Sequence, residues 1–198
     1  TIQLMGLSAA IGIAMSFIVG VARLARSVWI RAVARVYTEL FRGVAAFILL
    51  YWTFYSLPTF GGPSLSPMTA GGLALGLNMG AYGSEIVRGA VLGVPPGQTE
   101  AGISLNLSNW QRLRHVILPQ SLIAMLPPFG NLLIEVLKGT SLVGFITLSD
   151  LFFESRILRT NRVDSSMTIF LTVLVMYFVL AQIIAFGVRI AERYAARG

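Results

Sequence analysis

The chain has 198 residues, of which 56% are hydrophobic and only 12% are charged, and its mean hydropathy is +0.77. Because soluble domains carry about 25% charged residues, this composition indicates an integral membrane protein and excludes an ordinary soluble domain. The net charge of +7 is attributed to membrane topology and lipid contact rather than to nucleic-acid binding, and the absence of cysteine excludes disulfides and thiolate metal sites.

Five apolar segments are long enough to cross a bilayer, since a helical span needs about 20 mostly apolar residues. The second and third belong to one long apolar block, which the proline- and glycine-rich stretch 57–67 divides. Lipid offers no partner to unpaired backbone groups, so the spans must be helices. The predicted fold is therefore all-α, a single polytopic transmembrane domain. Its predicted spans are 2–22, 36–57, 68–90, 119–137 and 167–190.

The basic residues predict the orientation of these spans. With five spans, eleven of the 15 basic residues fall on one side of the membrane and four on the other. Since positive residues are retained in the cytoplasm, the N-terminus is predicted to lie outside and the C-terminus inside. The first span lacks the basic flank of a signal sequence, and we expect the chain to be trimmed before it. The eleven are Arg23, Arg26, Arg31, Arg35, Arg42, Arg88, Arg112, Arg114, Arg189, Arg193 and Arg197; the four are Lys138, Arg156, Arg159 and Arg162.

The segment 91–118 is too polar to span the membrane and is predicted to be a cytoplasmic loop with helices of its own. Pro95-Pro96 favours a helix start, and 99–105 is predicted to be a short helix with Glu100 near its leading end. Asn106 follows at a position where a residue in the left-handed conformation can end a helix.

A second helix is predicted in the same loop. Ser108 and Gln111 have the spacing of a capping box, which would start a helix running through Val116. Leu118-Pro119 is predicted to end that helix and to open the fourth span. The loop would then form a helix–turn–helix lying across the membrane face.

Several polar side chains fall at middle depth in the predicted spans, counting about 1.5 Å per residue. Asn78 lies near the midplane of the third span. Pro127-Pro128 lies near the middle of the fourth, where it would free carbonyls of the preceding turn, and Asn131 follows one turn later. Such broken helices often line transport sites, although buried amides also serve only to join helices. Tyr177 lies at similar depth in the fifth span. Its ring either faces the substrate or only packs against other helices.

Charged side chains in the spans leave two interpretations open. Glu135 and Lys138 lie in the outward half of the fourth span. They either contact the substrate or form a latch that closes a gate. Glu85 and Arg88 lie close to the cytoplasmic interface, where a structural ion pair is favoured. The predicted substrate path comprises Asn78, Tyr82, Asn131, Glu135 and Tyr177.

The chain cannot hydrolyse ATP through a phosphate-binding loop. That loop needs Gly-Lys-[Ser/Thr], and the only lysine, Lys138, is followed by Gly139. A membrane-embedded enzyme would need a cluster of catalytic groups in the spans, whereas the single histidine, His115, lies in the predicted loop. We therefore predict that the chain is not an enzyme. A pump built on it must use the ATPase of a partner.

Six short strings follow one another along the chain: 38–43, 80–89, 97–101, 118–120, 126–131 and 137–142. Their content and order resemble ABC importer permeases of the polar amino-acid branch, and most closely the ectoine and hydroxyectoine permeases. The resemblance covers nearly the whole chain. In the loop, Gly102 stands where the family has alanine, and Asn106 where it has glycine. After Gly43 the chain has Val44-Ala45 and Leu49, where the family usually has Thr-Pro and a glutamine.

The resemblance implies a type I ABC importer permease fold in a bacterial inner membrane. It implies that the loop binds a separate ATPase, which holds ATP and Mg²⁺ while this chain carries no cofactor, and that an external binding protein delivers polar amino acids or ectoine-type solutes. A second permease subunit, identical or a sister chain, is also implied. The alternative is an ATP-independent channel or secondary transporter. The implied ATPase-coupling residues are Gln98, Glu100, Ala101, Gly102, Asn106, Leu118 and Pro119.

Overall fold

The structure is a computed structural model of the chain and describes residues 1–161 and 165–195. Over these two ranges the chain forms helices and no strand. Two of the basic residues used to predict orientation, Arg162 and Arg197, lie outside them. The helices are α1 (Ile2–Ala22), α2 (Val28–Gly43), α3 (Ala46–Thr59), α4 (Pro67–Leu92), α5 (Pro96–Ser104), α6 (Asn109–Arg112), α7 (Leu118–Gly139), α8 (Leu151–Asn161) and α9 (Ser166–Ala195).

Helix α4 is the centre of the bundle, and α1 packs along it in parallel. A Cβ atom added at Gly12 would come within 2.5 Å of Met79 Sδ, and one at Gly20 within 2.6 Å of Val87 Cβ. The contacts therefore advance in the same direction along both helices. Small residues at such positions let two membrane helices approach closely. Because α1 and α4 run in parallel, the chain between them must return once through the length of the bundle.

The return segment is α2 and α3, which are bent by 102° relative to each other at residues 44 and 45. The predicted second span, 36–57, is therefore divided by a sharp bend rather than being one straight helix. A second irregularity, a π turn over Trp52–Ser56, lies within α3. Both features place non-α backbone inside a segment whose composition suggested a regular span.

Helix α7 runs antiparallel to α4, and α9 antiparallel to α7. A Cβ added at Gly83 would lie 3.1 Å from Phe129, and one at Gly139 would lie 3.3 Å from Leu75. Gly130 of α7 faces Val188 of α9, which a Cβ would meet at 2.7 Å. The start of α2 and the loop 93–117 therefore lie at one end of the bundle, called the loop end. The chain start and α8 lie at the opposite end.

The helices coincide closely with four of the five predicted spans, although only some are apolar enough to be recognised as spans by themselves. Helices α1 and α9 are each long and apolar enough to cross a membrane, as is the continuous helical stretch Asn109–Ile146. Helices α2 and α3 meet this requirement together, as a bent pair. Helix α4 does not meet it. It carries charge near its loop end, and its neighbours bury about half of its residues, so its place at the centre depends on packing rather than on hydropathy.

Candidate functional site

A cavity of about 290 Å³ lies between α4, α7 and the first residue of α3. Its size is near the lower end of the range for small-molecule sites. Asn78, Glu135 and Lys138 supply an amide, a carboxylate and an ammonium group to its lining. The structure therefore brings together two residues of the predicted substrate path, Asn78 and Glu135. Most of the other lining side chains are apolar and include Leu75, Met79, Leu132, Val136 and Leu142.

Asn78 also holds the broken end of α2. Its Nδ2 donates a hydrogen bond of 2.7 Å to the carbonyl oxygen of Phe41, and Tyr82 Oη donates one of 3.5 Å to that of Arg42. The last carbonyls of a helix have no partner within the helix, and these two side chains supply partners from α4. Asn78 therefore joins α4 to α2 and also lines the cavity, while its place in the substrate path stays a prediction.

Asn131, Glu135 and Lys138 are exposed on one face of α7, at helical spacings of four and three residues. Glu135 and Lys138 do not form an ion pair, because every salt bridge in the described part of the chain involves Glu85. A latch between them is therefore not present in this conformation. Asn131 lies on the same face but does not line the cavity.

Glu85 is the centre of a charged cluster towards the loop end of the bundle. Its carboxylate accepts hydrogen bonds from Arg23 of α1, from Arg42 of α2 at 3.4 Å, and from Arg88 of its own helix at 3.0 Å. The guanidinium of Arg42 also lies over the ring of Tyr82, 5.2 Å from its centroid. The sequence indicated only the pair of Glu85 with Arg88. The two longer-range partners, contributed by α1 and α2, carried no local signal.

Tyr177 lies apart from the cavity. Its hydroxyl is 3.2 Å from Asp150 Oδ2, and Asp150 is a buried residue whose other oxygen accepts from the backbone N–H of Phe153 in the first turn of α8. Tyr177 therefore fixes α9 to the start of α8 at the end opposite the loop. The structure does not bring it together with Asn78 or Glu135.

The loop forms the two short helices that the sequence predicted. Asn106 has a φ of 55° and ends the turn after α5 in the left-handed conformation, as expected. Ser108 and Gln111 form a complete capping box at the start of α6. The prediction that Leu118-Pro119 ends the second loop helix was wrong. The chain passes from α6 through a π turn directly into α7, and Pro119 is accommodated in the first turn of α7.

The loop presents several exposed apolar side chains and one carboxylate at the end of the bundle. Glu100 and Ala101 are exposed, and Ile103, Leu105 and Trp110 are 56%, 74% and 65% exposed. Exposed apolar side chains in such a group indicate a contact with another molecule.

The rest of the loop holds this surface in place. Gly102 is buried, and a Cβ at this residue would lie 2.9 Å from the Arg112 side chain. Gln98 accepts a hydrogen bond of 3.5 Å from Gln120 of α7, so the loop is joined to the helix that lines the cavity.

These features define a class of protein: a helical membrane transport component with a cavity that carries charged and amide side chains among its helices, and a structured loop at one end. Residues 11–195 match the model of the family described as binding-protein-dependent transport system inner membrane component. The chain belongs to this family, among the amino-acid ABC transporter permeases. These are membrane components without ATPase activity of their own.

Three relatives illustrate the family. The probable amino-acid ABC transporter permease y4tF of Sinorhizobium fredii is 43% identical over 100% of this chain and 84% of its own length. The glutamine transport system permease GlnP of Escherichia coli is 34% identical over 97% of this chain and 87% of its own. The L-cystine transport system permease TcyB of Bacillus subtilis is 32% identical over 98% and 82%.

Solved structures agree with this assignment. A crystal structure of an amino acid ABC transporter with histidines contains a chain that superposes with a TM-score of 0.89 at 30% identity, covering 97% of this chain and 89% of that one. The inward-facing MetNI methionine ABC transporter gives a TM-score of 0.77 at 22% identity, covering 98% and 93%. The second likeness concerns the fold alone. The predicted type I ABC importer permease fold is confirmed.

Proposed function

We propose that this chain is the permease subunit of an ATP-driven importer for polar amino acids or ectoine-type compatible solutes. The observation that carries the proposal is the loop of α5 and α6, which forms two helices, exposes apolar side chains and Glu100, and contacts α7. A cytoplasmic ATPase binding this surface would pull on the helix that lines the cavity. ATP and Mg²⁺ belong to that ATPase, and an external binding protein supplies the substrate.

The chemistry of the cavity favours a zwitterionic substrate. Glu135 and Lys138 contribute opposite charges to its lining, and Asn78 adds an amide. A net-neutral solute that carries both charges can pair with both groups, whereas a purely cationic or anionic solute leaves one of them unpaired in a partly apolar space. Polar amino acids and ectoine both meet this requirement. The naming of glutamine and cystine in the relatives is consistent with it.

The proposed orientation follows the two ends of the bundle. The loop end holds most of the basic residues, including Arg23, Arg26 and Arg31, so it is assigned to the cytoplasm of a bacterial inner membrane. The N-terminus and α8 then face outward, towards the binding protein.

The exposed polar face of α7 is the reason to propose a second permease subunit. Asn131 and Glu135 are too costly to expose to lipid at this depth. A second subunit, identical or a sister chain, would enclose this face and complete the path.

The test is uptake by the purified permease–ATPase complex in lipid vesicles, supplied with its binding protein and with glutamine, cystine or ectoine. We expect ATP-dependent uptake of at least one of them. Glu100→Lys should reduce uptake by roughly tenfold or more, because it reverses a charge on the docking surface, while membrane insertion is retained. Glu192→Lys, the same reversal at the loop end of α9 and outside the loop, is the matched control.

Uptake that persists without ATP but disappears with the proton gradient would contradict the proposal and favour a secondary transporter. Normal ATP-dependent uptake in the Glu100→Lys variant would contradict only the role of the loop. Deletion of residues 101–106 provides a second variant, with the same expected loss of uptake.

A further inference from the structure

We propose that the cavity selects substrates whose cationic end carries N–H groups, and that Asn78 and Glu135 are the specificity-determining residues. A quaternary ammonium group, which has no hydrogen to donate, would be rejected. This inference rests on the proposed function, since it assumes that the cavity between α4 and α7 holds the substrate. It goes further by naming which end of a zwitterion Glu135 binds and which end Lys138 binds.

The first step concerns the orientation of the Asn78 amide. Phe41 offers only a carbonyl oxygen, so the hydrogen bond of 2.7 Å must use Nδ2 as the donor. This bond fixes the amide and commits one of its hydrogens to α2. Oδ1 receives no hydrogen bond from the described residues, so it remains an available acceptor. Glu135 adds two carboxylate oxygens, which only accept. The part of the lining that Asn78 and Glu135 contribute is therefore rich in acceptors.

The second step concerns the opposite charge. Ser141 donates its hydroxyl hydrogen to the carbonyl oxygen of Lys138 at 2.8 Å, which leaves Lys138 as the main side-chain donor in the cavity. Its ammonium group is free of carboxylate partners within the described part of the chain. Lys138 lies three residues from Glu135, so the two are neighbours on one helix face. A short zwitterion fits this arrangement with its carboxylate at Lys138 and its cation at Glu135.

The third step excludes the usual way of binding a quaternary ammonium group. Such groups are held against aromatic faces, and none of the described residues that line the cavity is aromatic. Tyr82, one turn along α4, is already covered by the guanidinium of Arg42. A trimethylated cation would therefore meet a carboxylate and an amide oxygen to which it cannot donate. A site built to accept from N–H groups discriminates strongly against analogues that lack them.

The experiment measures binding to the permease–ATPase complex in lipid nanodiscs without the binding protein, so that selectivity of the complex itself is seen. The probes are glutamine and its Nα-methyl, Nα,Nα-dimethyl and Nα-trimethyl forms. Each step adds one methyl group, but only the last removes the final N–H. We expect small losses over the first two steps and a drop of roughly 10- to 100-fold at the third, as expected for losing a charged hydrogen bond.

Variants assign the effect to the named residue. Glu135→Gln should weaken glutamine binding by roughly 10- to 100-fold and should remove most of the drop between the dimethyl and trimethyl forms. Glu192→Gln makes the same change at the far end of α9 and should leave all four affinities unaltered. The series on the unmodified complex tests the proposal even if Glu135→Gln fails to fold.

Equal affinity for the dimethyl and trimethyl forms would overturn the proposal, as would an unchanged ratio in Glu135→Gln. If none of the four probes binds while the same complex imports substrate with its binding protein, the inference about the cavity is wrong and the importer assignment stands. If uptake is absent as well, both the inference about the cavity and the importer assignment are wrong.

Discussion

A methyl group added at Gly80 tests whether close contact between α1 and α4 holds the bundle together. Its Cβ would lie 2.5 Å from Met15 Cβ and 2.9 Å from Tyr37 Oη. Carbon atoms in contact are about 3.5–4.0 Å apart, so the two helices must separate by about 1 Å. Met15 Cβ is fixed to the backbone of α1, and a change of rotamer cannot relieve the contact.

The expected cost follows from these distances. Overpacking of this kind destabilises by about 1–3 kcal/mol, and displacing Tyr37 from its 2.7 Å hydrogen bond to the carbonyl of Leu77 adds about 1 kcal/mol. The gain in helix propensity from glycine to alanine returns about 1 kcal/mol. The net expected loss for Gly80→Ala is therefore about 1–3 kcal/mol.

The assay is the thermal unfolding temperature of the purified complex in detergent. At roughly 2–4 °C per kcal/mol for a chain of this size, Gly80→Ala should lower Tm by roughly 2–12 °C. Gly89→Ala is the matched control, since it lies on the same helix and a Cβ there meets nothing within 4 Å. Equal Tm values for the two variants would refute the view that the α1–α4 contact limits the stability of the bundle.

Two further predictions concern the charged cluster and the loop. Glu85→Gln leaves the surrounding arginines without their shared carboxylate. Because the site is partly exposed, we expect the free energy of unfolding to fall by about 1–3 kcal/mol rather than by the full cost of breaking a buried pair. A Tm equal to that of Glu192→Gln would contradict this. Asn106→Gly keeps the left-handed turn and should retain uptake. Asn106→Ala costs about 1 kcal/mol in that conformation and should lower uptake while Tm changes little. Equal uptake by the two variants would contradict a role for the turn.

Local sequence signals were sufficient for the features that depend on neighbouring residues. The apolar blocks predicted where α1, α4, α7 and α9 lie, because burial or lipid contact requires a long apolar stretch. The capping box and the left-handed asparagine of the loop were also predicted correctly, since each depends on residues within one helical turn.

The break in the second span could not be predicted in the same way. Sequence favoured a break at Pro127-Pro128, yet α7 continues through both prolines. The actual bend follows Gly43, where no proline stands. The carbonyls of Phe41 and Arg42, just before the bend, accept hydrogen bonds from Asn78 and Tyr82, which lie 37 and 40 positions further along the chain. A break that is stabilised by such distant partners leaves no signal in the segment that breaks.

These long-range bonds connect the cavity to the charged cluster. Asn78, Tyr82 and Glu85 lie at helical spacings of four and three on α4. Asn78 contacts Phe41, and Tyr82 and Glu85 contact Arg42, the last two residues of α2 before Gly43. A displacement of α2 away from Asn78 and Tyr82 must therefore also weaken the contact of Arg42 with Glu85. We propose that α2 moves as one unit during transport, so that a substrate bound beside Asn78 is sensed at the loop end of the bundle. Restraining α2 against α4 by a crosslink should then block uptake while leaving substrate binding intact.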